Sequence, residues 1–169
     1  MFSVRNMGSV LLWAMVSVAA AHMAFYYPQL PERIASHFGP NGQADGWMSK
    51  DSFALFNLGM ITFLVLIFQG VSVMMRKLPA EMINLPNKEY WLAPERRAET
   101  IARSSAQMSW FGIATCALFI AIMHLTFQAN LDGSFRLPAS ALYFLFGYLI
   151  FTKIWVIQLL RSSSIPGGR

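Results

Sequence analysis

Four long apolar runs, separated by polar segments, dominate the hydropathy pattern of the chain. They cover about residues 7–27, 53–75, 108–127 and 137–160. A helix needs about 20 apolar residues to cross a hydrocarbon core about 30 Å thick, and each run is about that long. The pattern therefore predicts an all-α fold, in which a polytopic bundle of four transmembrane helices forms one membrane domain over residues 1–169.

The composition agrees with a membrane protein. Hydrophobic residues make up 56% of the chain and charged residues 12%, whereas soluble domains have about 25% charged residues. The net charge of +5 arises from cations placed between the apolar runs. Because these cations form no basic stripe, we predict no nucleic-acid partner. Cys116 is the only cysteine, so no intramolecular disulfide is possible.

Lysine and arginine are divided unevenly between the two ends of the predicted bundle. Positive residues near helix ends stay in the cytoplasm, so the richer side predicts the cytoplasmic face and places both termini there. The outer side has Arg33, Lys50 and Arg136. The inner side has Arg5, Arg76, Lys77, Lys88, Arg96, Arg97, Arg103, Arg161 and Arg169.

The first apolar run also resembles a signal peptide, because Ala20, Ala21 and Ala24 lie near its end. It continues through the aromatic residues 25–27, which suit an interfacial anchor better than a cleavage site. The run also exceeds the roughly 7–15 residues of a signal-peptide core. We therefore predict that this segment is retained as the first span.

The loop after the first run lies outside on this topology, and its ends carry helix signals. Pro31 is predicted to open a short helical turn at residues 32–35, since proline fits the first helical position. Ser49 or Asp51 is expected to cap the second transmembrane helix through a side-chain oxygen. The predicted loop is therefore ordered at both ends.

Two turn pairs, Asn41-Gly42 and Asp45-Gly46, lie in the middle of this loop. Each has a glycine that adopts positive φ easily, so a tight hairpin or a double turn is expected. The polar side chains around the turns can hold a divalent cation if the loop folds them together. We favour their role as turn residues, because a single histidine without a second histidine or cysteine is a weak ligand set. These side chains belong to Glu32, His37, Asn41 and Asp45.

Two histidines, His22 and His124, lie within apolar runs, where ionisable residues usually face the bundle interior and find a partner. Both are expected in the outer leaflet, close enough to approach each other and the loop residue His37. Three histidines can form a zinc site. We favour the other interpretation, in which each histidine is hydrogen-bonded near the interface.

The loop between the second and third runs holds most of the charge. Pro86 and Asn87 predict a turn, residues 90–92 form an apolar plug, and Pro94 is predicted to open a helix. We expect this amphipathic helix to lie on the membrane surface, with its arginines against lipid headgroups, and to lead into the third span. Catalysis by its acids is the alternative, although glutamate and arginine at helical spacing usually form a solvated face. The candidate residues are Asn87, Tyr90, Trp91, Glu95 and Arg96.

The outer loop also carries a motif of Pro31, His37-Phe38, Asn41-Gly42, Asp45-Gly46 and Lys50. With this motif the chain resembles, over about residues 7–75, the bacterial membrane family called domain of unknown function 1648. That domain also forms the N-terminal part of SdpI-type immunity proteins, which protect the producing cell from a secreted toxin and help to signal its presence. The resemblance implies a place in the bacterial inner (cell) membrane and an outward loop that meets an extracellular peptide.

We therefore predict an inner-membrane protein that senses or resists an extracellular peptide or a membrane stress through its outer loop. The expected partners are the lipid bilayer and a peptide or another membrane protein, and no catalytic residue or cofactor is predicted. The alternative is a membrane enzyme or transporter subunit with a metal or acid/base site at His37 and Asp45. The candidate outer-loop site comprises Glu32, His37, Asn41, Asp45, Gly46 and Lys50.

Overall fold

The computed structural model describes the backbone of residues 4–165 and the side chains of residues 7–165. Arg169 and the side chain of Arg5, two of the predicted cytoplasmic cations, lie outside this part. Short 3₁₀ turns follow the first two long helices, at Tyr27–Gln29 and Ala80–Met82. The main elements are α1 (Val4–Tyr26), β1 (Arg33–Phe38), β2 (Ala44–Ser49), α2 (Lys50–Lys77), α3 (Lys88–Trp91), α4 (Pro94–Leu131) and α5 (Ser140–Ser162).

Four helices, α1, α2, α4 and α5, are long and apolar enough to cross a membrane. This finding confirms the predicted all-α fold with four membrane-spanning helices. Helices α1, α2 and α4 pack against one another, and α5 packs on α4. The bundle is therefore a three-helix core with a fourth helix beside it. The core includes the fully buried side chains of Leu12, Ile61, Val65, Cys116 and Phe127.

Helices α1, α2 and α4 approach one another closely at Gly112. A Cβ atom at this position would lie 2.7 Å from ring carbons of Phe68 and 3.0 Å from a methyl carbon of Leu12. Small residues permit such close approach between membrane helices, where packing drives association. Nearby, the Ser9 hydroxyl donates a hydrogen bond of 2.8 Å to Gln69 across α1 and α2. These contacts fix how the three helices pair.

The segment between α1 and α2 is a β-hairpin, so the predicted helical turn at residues 32–35 is wrong. An isolated helical turn satisfies few backbone groups, whereas pairing between β1 and β2 satisfies them along the strand. The extended backbone also places Ile34 in the core with 0% exposure. Pro31 precedes the strand, where its missing N–H leaves the pairing intact. The predicted cap is confirmed, because the Ser49 hydroxyl accepts a hydrogen bond from the Ser52 backbone N–H.

Only the first of the two predicted turn pairs reverses the chain. Asn41 and Gly42 lie at the hairpin tip, where Gly42 has a φ of 76°. Asp45 and Gly46 lie within β2 instead. The tight hairpin is therefore confirmed, and the second turn is wrong because pairing with β1 extends the backbone there.

Helix α4 begins well before the predicted third span. Its 38 residues run without a break from Pro94 to Leu131, which corresponds to a length of about 57 Å at about 1.5 Å per residue. The predicted amphipathic helix is thus the first part of α4: its predicted start at Pro94 is confirmed, and it continues without a break into the span. A search for apolar runs detects only the membrane-spanning section of α4, because the first turns of this helix are rich in polar residues.

Candidate functional site

The clearest contact between predicted site residues joins His37 and Asp45 across the hairpin. Nδ1 of His37 and a carboxylate oxygen of Asp45 are hydrogen-bonded, with side chains that are 75% and 53% exposed. The register is irregular here, and His37 pairs with Gly46 between two register shifts. A Cβ atom at Gly46 would lie 2.8 Å from the Cβ of His37, so glycine permits this close pairing. The result is a solvent-accessible histidine–carboxylate pair.

A second pair of predicted residues, Glu32 and Lys50, closes the base of the hairpin. Nζ of Lys50 lies 2.8 Å from a carboxylate oxygen of Glu32 and 5.0 Å from the centre of the Tyr27 ring. The backbone N–H of Lys50 also donates to the carbonyl of Glu32 at 3.0 Å. The Tyr27 hydroxyl donates to Asp51 at the start of α2. This group ties the end of α1 to the start of α2.

Asn41 stabilises the hairpin tip. Its Oδ1 accepts a hydrogen bond of 3.0 Å from the backbone N–H of Gln43, and its Nδ2 donates to the Gln43 side chain at 3.1 Å. The Arg136 guanidinium donates to the Asn41 carbonyl at 3.3 Å. The side chain of Asn41 therefore stabilises the turn.

The predicted outer-loop residues form separate contacts and not one ligand set. His37 contacts Asp45, Glu32 contacts Lys50, and Asn41 bonds within its turn. Among the side chains of residues 7–165, no three or more His, Cys, Asp or Glu are grouped to hold a metal ion. His37 and Asp45 supply two of the four ligands that a structural zinc ion takes.

Asn130 of α4 attaches the hairpin to the bundle, and the sequence analysis missed this residue. Its Oδ1 accepts a hydrogen bond of 2.7 Å from the N–H of Ala35, and its Nδ2 donates to the Ala35 carbonyl at 3.0 Å. Asn130 and Ala35 are 4% and 0% exposed. One amide thus satisfies both buried backbone groups of a strand residue, as a neighbouring strand would. The available signal was a polar residue just after the third apolar run.

The segment between α4 and α5 packs against the hairpin as well. The N–H of Ala44 donates to the Phe135 carbonyl at 3.0 Å, and the N–H of Leu137 donates to the Gly42 carbonyl at 2.8 Å. The Phe135 ring lies 5.0 Å from the Trp47 ring, centre to centre. The hairpin is therefore held by this segment in addition to α4.

Asp132 orders the start of the same segment. Its carboxylate accepts a hydrogen bond of 2.8 Å from the backbone N–H of Ser134. Because this bond stabilises the ionised form, it lowers the pKa of the Asp132 carboxyl below its usual value. The Ser134 hydroxyl in turn accepts from the N–H of Arg136 at 3.3 Å. The turn that presents Phe135 to the hairpin is thus built from local hydrogen bonds.

His22 and His124 meet inside the bundle, as the sequence suggested. Nε2 of His22 lies 3.1 Å from Nδ1 of His124, and the His22 ring stacks on Phe127 with a centroid distance of 5.1 Å. One imidazole can donate a hydrogen bond to the other. This bond gives one ring nitrogen of each histidine a partner in apolar surroundings. Within the described side chains His37 does not join them, so the alternative of a three-histidine zinc site is not found there.

The inner loop, defined here as residues 78–93, closes against the end of α5. Nε1 of Trp91 and Nδ2 of Asn87 donate to the carbonyl of Ser163 at 2.8 and 2.9 Å. Asn87 has a φ of 54°, in agreement with the predicted turn. Two of the predicted inner-loop residues thus converge on one backbone oxygen.

Arg96 and Arg103, in the first part of α4, contact aromatic residues of the inner loop. The Arg96 guanidinium lies 4.0 Å from the centre of the Tyr90 ring and donates to the Tyr90 carbonyl at 2.8 Å. The Arg103 guanidinium lies 4.5 Å from the centre of the Trp91 ring. These cation–π contacts fix the loop on α4. Glu95 is exposed and forms no ion pair within residues 7–165.

In the comparison with known proteins, one segment of the chain matches a family model. Neither the curated proteins nor the solved structures include a match. A family model matches residues 14–63, which include the second half of α1, the hairpin and the first half of α2. The His37–Asp45 and Glu32–Lys50 pairs lie in this segment, whereas Asn130 lies outside it. The predicted resemblance is thus confirmed: over residues 14–63 the chain resembles the family described as Domain of unknown function (DUF1648).

Proposed function

We propose that this membrane protein senses or resists an extracellular peptide or a membrane stress, with the hairpin as binding surface and α4 as the link to the inner loop. In this proposal the hairpin faces the outside of a bacterial inner membrane, and the inner loop and both termini face the cytoplasm. The excess of lysine and arginine on the inner-loop side supports this orientation.

The observation that carries the proposal is that α4 contacts the hairpin near one end and the inner loop near the other. Asn130 bonds to Ala35 of β1 at 2.7 and 3.0 Å. The Thr100 hydroxyl donates to the Trp91 carbonyl at 2.9 Å. About 45 Å of continuous helix separates Thr100 from Asn130, at about 1.5 Å per residue. A helix bonded to both elements provides a physical connection through which binding at one can bias the other.

The exposed groups of the hairpin suit a peptide with cationic and aromatic side chains. The Asp45 carboxylate is 53% exposed and Trp47 is 39% exposed. A carboxylate forms charge-assisted hydrogen bonds with cations, and an indole offers a large surface for stacking. Membrane-active peptides commonly combine lysine or arginine with tryptophan, phenylalanine or leucine. Their chemistry therefore complements this surface.

A deletion strain tests the proposal when it is exposed to a panel of cationic membrane-active peptides. We expect the deletion to lower the inhibitory concentration of at least one peptide and the wild-type chain to restore it. His37→Ala and Asp45→Asn should fail to restore resistance, because they remove the exposed polar pair while leaving the buried core intact. Immunoblots of the membrane fraction must show equal amounts of each variant.

The matched control for this experiment is Asn84→Ala, at an exposed position of the inner loop. It should restore resistance as the wild-type chain does. Full restoration by both hairpin variants, or a deletion strain that resists the whole panel like its parent, would count against the proposal.

The contact between His37 and Asp45 also favours a second candidate function, a membrane enzyme or transporter subunit. A histidine hydrogen-bonded to a carboxylate is an arrangement used for acid/base chemistry and for holding metals. Elemental analysis of the purified protein distinguishes the two candidates. A stoichiometric divalent metal that disappears in both His37→Ala and Asp45→Asn would support the second function.

A further inference from the structure

We propose that a cleft at the inner end of the bundle binds the phosphate headgroup of an anionic phospholipid. The cleft has a volume of about 360 Å³ and lies between the end of α2 and the first turns of α4. This volume is within the range of about 300–1,000 Å³ typical of ligand sites. The cleft is lined by Arg76, Pro94, Arg97, Ala98, Ile101 and Ala102.

Two guanidinium groups give the cleft its positive charge. Arg76 comes from α2 and Arg97 from α4, and no acidic residue of the described part of the chain lines the cleft. Within residues 7–165 the ion pairs lie at the hairpin, at the opposite end of α2, so neither arginine is neutralised by a carboxylate in that range. Guanidinium groups form bidentate hydrogen bonds with phosphate oxygens. The charge of the cleft is therefore available to an anion.

Arg97 is held in position at the cleft. One of its Nη atoms donates a hydrogen bond of 2.6 Å to the carbonyl of Leu78, the residue that follows α2. The side chain therefore loses less freedom on binding than a mobile surface arginine would. Pro94 and Arg97 belong to the first turn of α4, where the helix dipole also favours an anion.

The position of the cleft favours a lipid over a free anion. Arg76 directly follows the apolar run of α2, which places it at the level of the headgroups. Ala98, Ile101 and Ala102 give the cleft an apolar wall beside the arginines. This wall suits the glycerol and first methylene groups of a phospholipid. A free phosphate has no apolar part that could pack against the wall. Arg96 and Arg103, by contrast, are covered by the aromatic rings of the inner loop.

The full-length protein in phosphatidylcholine nanodiscs allows a direct test, with fluorescent phosphatidylglycerol as the probe and energy transfer from tryptophan as the readout. The assay is run in about 1 M salt, where the Debye length is about 3 Å and general surface attraction is screened. We expect Arg76→Gln to weaken phosphatidylglycerol binding about tenfold, the equivalent of one charge-assisted hydrogen bond. Arg97→Lys should weaken it as well, because lysine keeps the charge but not the bidentate geometry.

Lys77→Gln is the matched control, since it removes a neighbouring charge that does not line the cleft. It should bind phosphatidylglycerol like the wild-type protein. Equal losses in Arg76→Gln and Lys77→Gln, or no loss in Arg76→Gln, would overturn the proposal. Inorganic phosphate is the second probe, and full displacement of the lipid at equal concentration would show that the cleft takes a free phosphate instead. Arg76 is exposed, so its replacement is expected to leave the fold intact.

Discussion

Asn130→Leu is expected to lower the free energy of unfolding by about 2–4 kcal/mol, since each buried polar group left without a partner costs about 1–3 kcal/mol. The substitution removes the partners of both the N–H and the C=O of Ala35, which is fully buried. Leucine has a similar size, so the loss comes mainly from hydrogen bonding. Unfolding in mixed detergent micelles measures the free energy, and amide hydrogen exchange at residues 33–49 should rise because the hairpin loosens from α4.

Asn84→Leu is the matched control, because it makes the same substitution at an exposed position of the inner loop. It should change stability by less than about 0.5 kcal/mol, as surface substitutions usually do. If Asn130→Leu leaves the exchange of the hairpin amides unchanged, the hairpin is attached by other contacts, and the proposed link through α4 is wrong.

Gly112→Ala is expected to destabilise the bundle by about 1–3 kcal/mol, the usual range for overpacking. The added methyl group would lie 2.7 Å from the Phe68 ring and 3.0 Å from Leu12, so these side chains must shift or the helices that carry them must move away from α4. The same detergent unfolding measurement, followed by tryptophan fluorescence, should show an earlier midpoint for this variant.

Gly70→Ala provides the comparison for this result. Gly70 lies in α2, and among the described residues no atom outside its own stretch of helix lies within 4 Å of a Cβ atom built there. Alanine is favoured over glycine in a helix by up to about 1 kcal/mol, so this variant should be unchanged or slightly more stable. Equal destabilisation by the two substitutions would mean that the effect of Gly112→Ala does not arise from close helix packing.

The four spans are predictable from the sequence because lipid requires long apolar runs, and these runs are visible without tertiary information. The helix ends are less predictable. Proline marked the start of α4 at Pro94, but the hydropathy pattern showed the third span only from about residue 108. Its polar first turns are stabilised by contacts with Tyr90 and Trp91, which lie in a different element. The spacing of apolar residues along the chain does not reveal such contacts between elements.

The candidate site was predicted in part. The turn at Asn41-Gly42 indicated a hairpin, and the hairpin places His37 beside Asp45. The strand at residues 33–38 was missed because its stability depends on pairing and on Asn130, 95 residues away from Ala35. A local pattern does not reveal a partner at that distance. The cleft at Arg76 and Arg97 likewise depends on two helices that meet only in the folded chain.

Cysteine labelling in intact cells tests most directly the claim that a four-helix membrane bundle separates an outer hairpin from an inner loop. Asn41 and Asn84 are both exposed, and the native Cys116 is buried with 0% exposure, so background labelling should be low. A membrane-impermeant maleimide is predicted to label Asn41→Cys in intact cells and Asn84→Cys only after the membrane is permeabilised. Labelling of Asn84→Cys in intact cells, or protection of Asn41→Cys until permeabilisation, would contradict this arrangement.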